Sequence, residues 1–258
     1  VQTAKLSSAQ SSSFTSFGGQ VKLGNNRALI ATSKEFVSVF DFDGFDWTET
    51  VLNHDQGPAS IGFGTSIDLY EDRILVGAWR LNDGLGIDSG GAYVFDYDGT
   101  WTLNTVLRAN DANSEDRFGF NLSLSEDQAL IGAYQNDTNG NNSGAAYVFD
   151  FINNNWSQSA KLMASDGVAS DIFGQNVALD NNRALISGGD KVYVFDKGIN
   201  KWSETEIISH PDFDLGRSLD LKANRALLGS LFGGDDLLSG LASIYQVDPV
   251  YAVSGTIF

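Results

Sequence analysis

The segment 137–143 carries oxygen-bearing side chains at every second position. Asp137, Asn139 and Asn141 alternate in it, as ligands do at the start of an EF-hand calcium loop. The segment lacks the distal bidentate glutamate of such a loop, and runs of Asn and Gly also form ordinary turns. Two interpretations therefore stand, a calcium site on these three residues and a turn without a metal. Calcium is the only cofactor that the sequence suggests.

Two aromatic residues open long polar segments. Trp79 and Tyr134 each follow a Gly-Ala pair, and Asp83 and Asp88 come shortly after the first of them. Aromatic faces beside carboxylates suit a sugar, whose C–H face stacks while its hydroxyls form hydrogen bonds. They also suit a basic peptide, through cation–π contacts and charge. The competing interpretation is that both rings pack inward as core residues.

Two other segments place acids five residues apart, shortly before a Phe-Gly pair. They contain Asp111 with Asp116, and Asp166 with Asp171. Such acids could bind a cation or cap a turn. We favour the turn interpretation for both segments.

Residues for catalysis are scarce. His54 and His210 are the only histidines, and a histidine metal cluster needs more ligands. No Gly-x-Ser-x-Gly elbow, phosphate loop or His-Glu-x-x-His motif occurs. Paired carboxylates of the glycosidase kind are compatible with so acidic a chain, but nothing singles out a pair. We therefore expect no enzyme.

A unit of roughly 40 to 55 residues recurs five times and must position these side chains. Each copy opens on an apolar residue and a glycine, and is apolar again at its fifth and seventh positions, the period of a half-buried strand. The copies begin at Phe17, Phe63, Phe118, Phe173 and Leu215.

The rest of each unit predicts three more strands. A tight turn precedes a continuous apolar strand, and a third strand ends in Asp. An aromatic residue then opens the fourth strand, and we expect these rings to pack between blades. They are Trp47, Trp101, Trp156, Trp202 and Tyr251. The sequence thus predicts an all-β fold, a five-bladed β-propeller of four-stranded antiparallel blades, in one domain over residues 1–258.

The two ends of the chain compete for one place in the predicted ring. Residues 1–6 match the fourth strand at 157–162, so we expect them to close the ring in the blade that contains Leu221 and Leu228. Closure would remove an open sheet edge. Residues 251–258 also match a fourth strand, which leaves open which terminal strand closes the ring.

Composition narrows the partners. The net charge is −17, which disfavours nucleic acid and anionic membranes and favours cations, neutral glycans or basic protein patches. The same charge could serve solubility alone. There is no cysteine, so disulfides and thiol chemistry are excluded. No stretch approaches 18 apolar residues, so we expect no membrane insertion. The chain opens in mid-strand with no apparent signal peptide, which suggests a mature or trimmed start.

Two copies of the unit resemble the FG-GAP repeat. They are Phe118-Gly119 followed by Leu130-Ile131-Gly132-Ala133, and Phe63-Gly64 followed by Leu75-Val76-Gly77-Ala78. This repeat is known from integrin α-subunit heads, some lectin-like propellers and many bacterial surface proteins. The resemblance implies extracellular recognition or adhesion, often with calcium.

The chain departs from the family pattern in two ways. Trp79 and Tyr134 stand where the family has a proline. The Asp-rich loop between the first and second strands, which holds calcium in the family, is a three-residue turn in every copy. We therefore expect the family's calcium site to be lost.

Strand order predicts a binding surface on one face. In an up-and-down blade, the loops between second and third strands and the loops between blades share a face, called here the loop face. Its long loops are 79–91, 134–145 and 231–241. We expect a secreted or cell-surface module that binds a glycan or protein there. The alternative is a structural subunit or spacer of an extracellular assembly, joined through a terminal strand and capable of self-association.

Overall fold

The protein is described by a computed structural model covering residues 3–10, 16–32, 36–54, 61–82, 84–212, 214–231 and 240–247. Its regular structure is made of strands, which follow one another as β1 Gln20–Leu23, β2 Arg27–Ala31, β3 Phe36–Phe42, β4 Trp47–Asn53, β5 Phe63–Tyr70, β6 Arg73–Ala78, β7 Gly91–Tyr97, β8 Trp101–Leu107, β9 Leu122–Ser125, β10 Gln128–Ala133, β11 Ala145–Ile152, β12 Asn155–Leu162, β13 Val177–Asp180, β14 Arg183–Gly188, β15 Lys191–Lys197, β16 Trp202–Ile208, β17 Leu215–Lys222, β18 Arg225–Ser230 and β19 Leu241–Gln246. In the ranges just given there is no helix of the length and apolarity that a membrane span requires.

The strands form five antiparallel sheets that follow the five repeats. Four sheets have four strands each, β1–β4, β5–β8, β9–β12 and β13–β16, and the fifth contains β17–β19. Neighbours in sequence are neighbours in each sheet, so every sheet is an up-and-down meander. The all-β class is confirmed. The predicted fourth strand of the last repeat, at 251–258 with Tyr251, lies outside the described residues.

Apolar clusters join each sheet to the next. The phenylalanines that open the second, third and fourth repeats, Phe63, Phe118 and Phe173, are buried. Each meets a tyrosine of its own sheet edge-to-face, with Phe118 and Tyr147 centroids 5.6 Å apart. The cluster around Phe118 also contains Leu75 of the preceding sheet. The alternation of apolar residues in the first strand therefore serves packing between blades.

The second and third repeats each use a Phe-Gly and a Gly-Ala glycine to let neighbouring sheets approach closely. The glycine of the Phe-Gly pair has a left-handed backbone, with φ +87° at Gly119 and +89° at Gly174, a conformation that favours glycine. The glycine of the Gly-Ala pair lies against the next sheet. A Cβ atom on Gly132 would stand 1.9 Å from the carbonyl oxygen of Gly174. The two halves of the repeated motif thus meet across each of these blade interfaces.

Two of the aromatic residues that open fourth strands, Trp101 and Trp156, pack between sheets. The guanidinium of Arg27 stacks 4.5 Å from the Trp101 ring centre of the next sheet. The guanidinium of Arg73, in the second sheet, lies 5.2 Å from the ring centre of Trp156 in the third sheet. Each arginine also pairs with an aspartate of its own sheet. These rings lie in blade packing, as the sequence predicted.

The prediction that residues 1–6 close the ring is not met. Residues 3–8 adopt no strand, and residues 1 and 2 lie outside the described part. Closure requires the first sheet to pack on the fifth, yet Val21 of β1 is 63% exposed and Ile244 of β19 is 74% exposed. The apolar clusters of the described residues join successive sheets only. As far as the described residues show, the five sheets follow one another in an arc, and no closed ring is detected.

Candidate functional site

The long loops of the second and third sheets are bonded to the connections that follow those sheets. The backbone N–H groups of Glu115, Arg117 and Phe118 donate to the carbonyls of Ile87, Asp88 and Ser89. The next connection repeats this pattern, with Ser170, Ile172 and Phe173 donating to Asn141, Asn142 and Ser143. Backbone hydrogen bonds thus hold each long loop in place on the loop face.

Trp79 and Tyr134 belong to one aromatic cluster on this face. Trp79 directly follows β6 and Tyr134 directly follows β10, so adjacent sheets present them side by side. The Phe120 ring lies between them, with its centre 6.2 Å from that of Trp79 and 4.6 Å from that of Tyr134. Tyr134 is buried and Trp79 is half-buried. Trp79 is therefore the member of the pair that solvent reaches more freely.

Two arginines stack on this cluster. The guanidinium carbon of Arg80 lies 4.3 Å from the Trp79 ring centre, and that of Arg117 lies 4.8 Å from it. Arg117 also donates from Nη1 to the Tyr134 hydroxyl. The contacts of the two guanidinium groups with the Trp79 ring have cation–π geometry. We call Arg80, Trp79, Arg117 and Tyr134 the arginine–tryptophan cluster.

Of the two carboxylates expected beside the rings, Asp88 is described, and it is not a partner of these arginines. Within the described ranges, neither Arg80 nor Arg117 forms an ion pair with Asp or Glu. Asp88 instead serves the loop: its N–H donates to Asn82 Oδ1 at 2.5 Å, and its carbonyl accepts from Arg117. Asp83 lies outside the described residues. Two arginines without an ion-pair partner among the described residues therefore stack on the ring beside which the sequence predicted acids.

The candidate calcium segment forms a hydrogen-bonded turn. Asp137 Oδ1 accepts the N–H of Asn142 at 2.7 Å, and the N–H of Asn139 donates to Ser143 Oγ. The Asn141 side-chain oxygen accepts from the neighbouring Asn142 amide. In the part of the chain that the structure describes, no three Asp, Glu or His residues group in a way that could hold a metal. One carboxylate engaged in closing a turn is a poor fit to calcium, which favours several oxygen ligands with charge.

One of the acid pairs before a Phe-Gly pair stabilises the connection that carries it. Asp111 accepts from Lys161 Nζ at 2.6 Å. Burial raises the pKa of Asp111, but hydrogen bonds from Lys161 and the Tyr147 hydroxyl outweigh this effect and bring that pKa below its ordinary value. Asp116 accepts the N–H of Asn113, and its burial raises its pKa. Both acids therefore have structural partners.

The second acid pair repeats this arrangement one sheet further on. Asp166 accepts from Lys191 Nζ at 2.6 Å and from the Tyr193 hydroxyl at 2.7 Å. These hydrogen bonds lower the pKa of Asp166. Asp171 accepts the N–H of Val168 and so caps a turn. In each pair the second acid thus caps a turn, as the turn interpretation expects, while the first acid pairs with a lysine.

The face opposite the loop face carries a groove between the second and third sheets. Its volume is about 510 Å³, and Tyr70, Arg73 and Phe151 line it together with acids. Burial and the nearby carboxylates of Glu126 and Glu71 raise the pKa of Tyr70. This face is acidic, in contrast to the arginine–tryptophan cluster.

The succession of up-and-down sheets is that of β-propeller blades, and two solved structures resemble it. The computationally designed Ika8 protein matches with a TM-score of 0.55 and 13% identity over 88% of this chain and 57% of that chain. The β-propeller domain of Cps50 (Swd1) from Myceliophteria thermophila matches with a TM-score of 0.59 and 15% identity, over 87% and 67%. The chain thus spans 57% and 67% of the lengths of these two structures. No curated protein matches it.

The repeats identify the family. The FG-GAP repeat matches residues 48–95, 101–149 and 156–195, together more than half of the chain. The chain belongs to the FG-GAP repeat family.

Proposed function

We propose that the chain is a secreted or cell-surface binding module that takes a glycan or protein ligand on its loop face. The observation that carries the proposal is the arginine–tryptophan cluster, where two arginine guanidinium groups stack on a half-exposed indole at the junction of two adjacent sheets. Aromatic and arginine side chains are enriched at sites that dominate binding energy. FG-GAP repeat proteins are commonly extracellular, which supports the location.

The contacts of the two histidines favour binding over catalysis. The His54 ring packs 5.5 Å from the Phe63 ring centre. His210 accepts the Asp212 N–H at its Nδ1 in a turn. Each has a local structural contact, and a general base needs a nucleophile within hydrogen-bond reach.

The test is binding of the protein and its Trp79→Ala variant to an array of glycans and extracellular proteins. We expect the variant to lose the ligand, because the half-exposed indole is the ring on which both arginines stack. Trp47→Ala is the matched control, since Trp47 is a half-buried tryptophan of the first sheet that contacts Phe42. A destabilisation of several kcal/mol by Trp79→Ala would instead show that the ring is a core residue.

A second candidate function, a subunit of an extracellular assembly, is favoured by the two ends of the arc. Leu227 of β18 is 44% exposed. Its counterparts in the other four sheets are fully buried against the sheet that follows: Leu29, Leu75, Leu130 and Leu185. The first strand of the first sheet shows the converse, because Leu23 is 80% exposed while Leu124, Leu179 and Leu221 are buried against the sheet that precedes.

The two end faces are complementary halves of one interface. The last sheet exposes the apolar face that packs on the following sheet elsewhere in the chain, and the first sheet exposes the apolar face that packs on the preceding one. The last sheet of one copy would therefore pack on the first sheet of a second copy, head to tail. Sedimentation velocity at increasing protein concentration tests this. We expect larger species that Ile244→Asp abolishes, while Ile199→Asp, at a 99% exposed turn position, leaves them unchanged. A monomer at all concentrations would contradict the candidate function.

A further inference from the structure

We propose that the arginine–tryptophan cluster selects an acidic glycan, one that carries a carboxylate on an otherwise neutral sugar chain. This inference rests on the proposed function and names its ligand class. Its basis is the pair of arginines on Trp79, which the described part of the chain leaves without a carboxylate partner.

Most other arginines of the described sheets are neutralised. Arg27, Arg73 and Arg183 each pair with an aspartate of the same sheet, at 2.5, 2.8 and 2.6 Å. In a chain with a net charge of −17, acids to pair with Arg80 and Arg117 are abundant. Two guanidinium groups that lack such partners and lie on one indole form a local positive site, which favours an anion.

The cluster is preorganised for a carboxylate. Arg117 is anchored at its backbone, where the N–H donates to Asp88, and at its side chain, where Nη1 donates to Tyr134. Arg80 is exposed, and its guanidinium stacks on the Trp79 ring, as that of Arg117 does. A guanidinium presents a planar fork of donors that matches a carboxylate in charge-assisted hydrogen bonds. A group held in advance loses less entropy on binding.

The overall charge selects among acidic ligands. A strongly acidic protein or a polyanion would be repelled by the rest of this acidic surface. A glycan with one carboxylate meets the two arginines and presents neutral hydroxyls and C–H groups elsewhere. The half-exposed edge of Trp79 gives these groups an apolar contact.

The test uses a printed array of oligosaccharides that each contain one uronic or sialic acid, beside their carboxyl-reduced counterparts. We expect the protein to bind acidic members and to bind the reduced partners at least about tenfold more weakly, the loss typical of a charge-assisted hydrogen bond. Arg80→Gln and Arg117→Gln should each remove this preference. Lys201→Gln changes an exposed lysine in a turn of the fourth sheet and should preserve it.

Three other binding results would overturn the inference. Equal binding of acidic and reduced glycans, lost in Trp79→Ala, would overturn this inference and leave the proposed function standing. Binding of acidic peptides without binding of acidic glycans would also overturn it. Absence of any ligand for the intact protein would overturn both. Because Arg117 is partly buried, unfolding of Arg117→Gln is checked by circular dichroism, and the exposed Arg80→Gln then decides.

Discussion

Single residues explain both the repeat and the site, but the sequence revealed them unequally. The glycines of each repeat stand out because they recur, and Trp79 and Tyr134 stand out because aromatic residues follow Gly-Ala there. Arg80 and Arg117 flank positions that the sequence analysis singled out, yet they were missed. Whether an arginine is neutralised depends on which acids the folded loops bring near it, and a one-dimensional pattern does not contain that information.

The close approach at Gly132 predicts a large effect of one methyl group. Gly132→Ala places Cβ against the carbonyl oxygen of Gly174, so one sheet must shift. We expect a loss of about 1 to 3 kcal/mol or more in the free energy of unfolding, measured in urea. Gly198→Ala is the control, since its Cβ would meet its nearest neighbour at 3.5 Å, an ordinary contact. Equal stability of the two variants would contradict the role of Gly132.

The neighbouring acids Asp111 and Asp116 should shift stability with pH in opposite directions. The pKa of Asp111 is lowered in the fold, so its charge stabilises the protein above the ordinary pKa of aspartate, about 4. That stabilisation is lost as pH falls through the folded-state value. Burial raises the pKa of Asp116, so its charge weakens the fold at neutral pH.

Substitution by asparagine separates the two effects. From pH 3 to pH 7, the stability of Asp111→Asn relative to the wild type should fall, and that of Asp116→Asn should rise. We expect changes of about 1 kcal/mol or less for Asp111, because its side chain is about half exposed and solvent screens such pairs. Urea unfolding at both pH values measures this, and parallel shifts in the two variants would contradict it.

At the scale of elements, the strands were largely predictable and the loops were not. Period-two apolar patterns located the strands, because burial between sheets requires them. The alternating oxygens at Asp137 resembled a calcium loop, but a short-range pattern does not show where each oxygen points. In the structure, these groups close the turn on themselves.

The turn at Asp137 predicts little dependence on calcium. We expect a chelator to change the melting temperature by no more than about 2 °C, below 1 kcal/mol for a chain of this size. Asp137→Ala should respond to the chelator as the wild type does. A large chelator-sensitive shift that Asp137→Ala removes would show that the segment binds calcium after all.

The arrangement of the whole molecule depended on contacts beyond any single repeat. Five repeats predicted five blades, and the structure contains five sheets. Ring closure was inferred from the match between residues 1–6 and a fourth strand. That match reports strand character and not the angle between successive sheets, which decides whether first and last sheets meet. The exposed faces at Val21 and Ile244 are the consequence.

The central claim is that the loop face at the arginine–tryptophan cluster binds the ligand. Amide hydrogen exchange, with and without the glycan that binds most tightly on the array, tests it most directly. We predict that bound glycan slows exchange in residues 79–91 and 114–120 and leaves the turns on the opposite face, at 70–73 and 125–128, unchanged. Protection confined to those turns, with none in the two loop-face segments, would contradict the account.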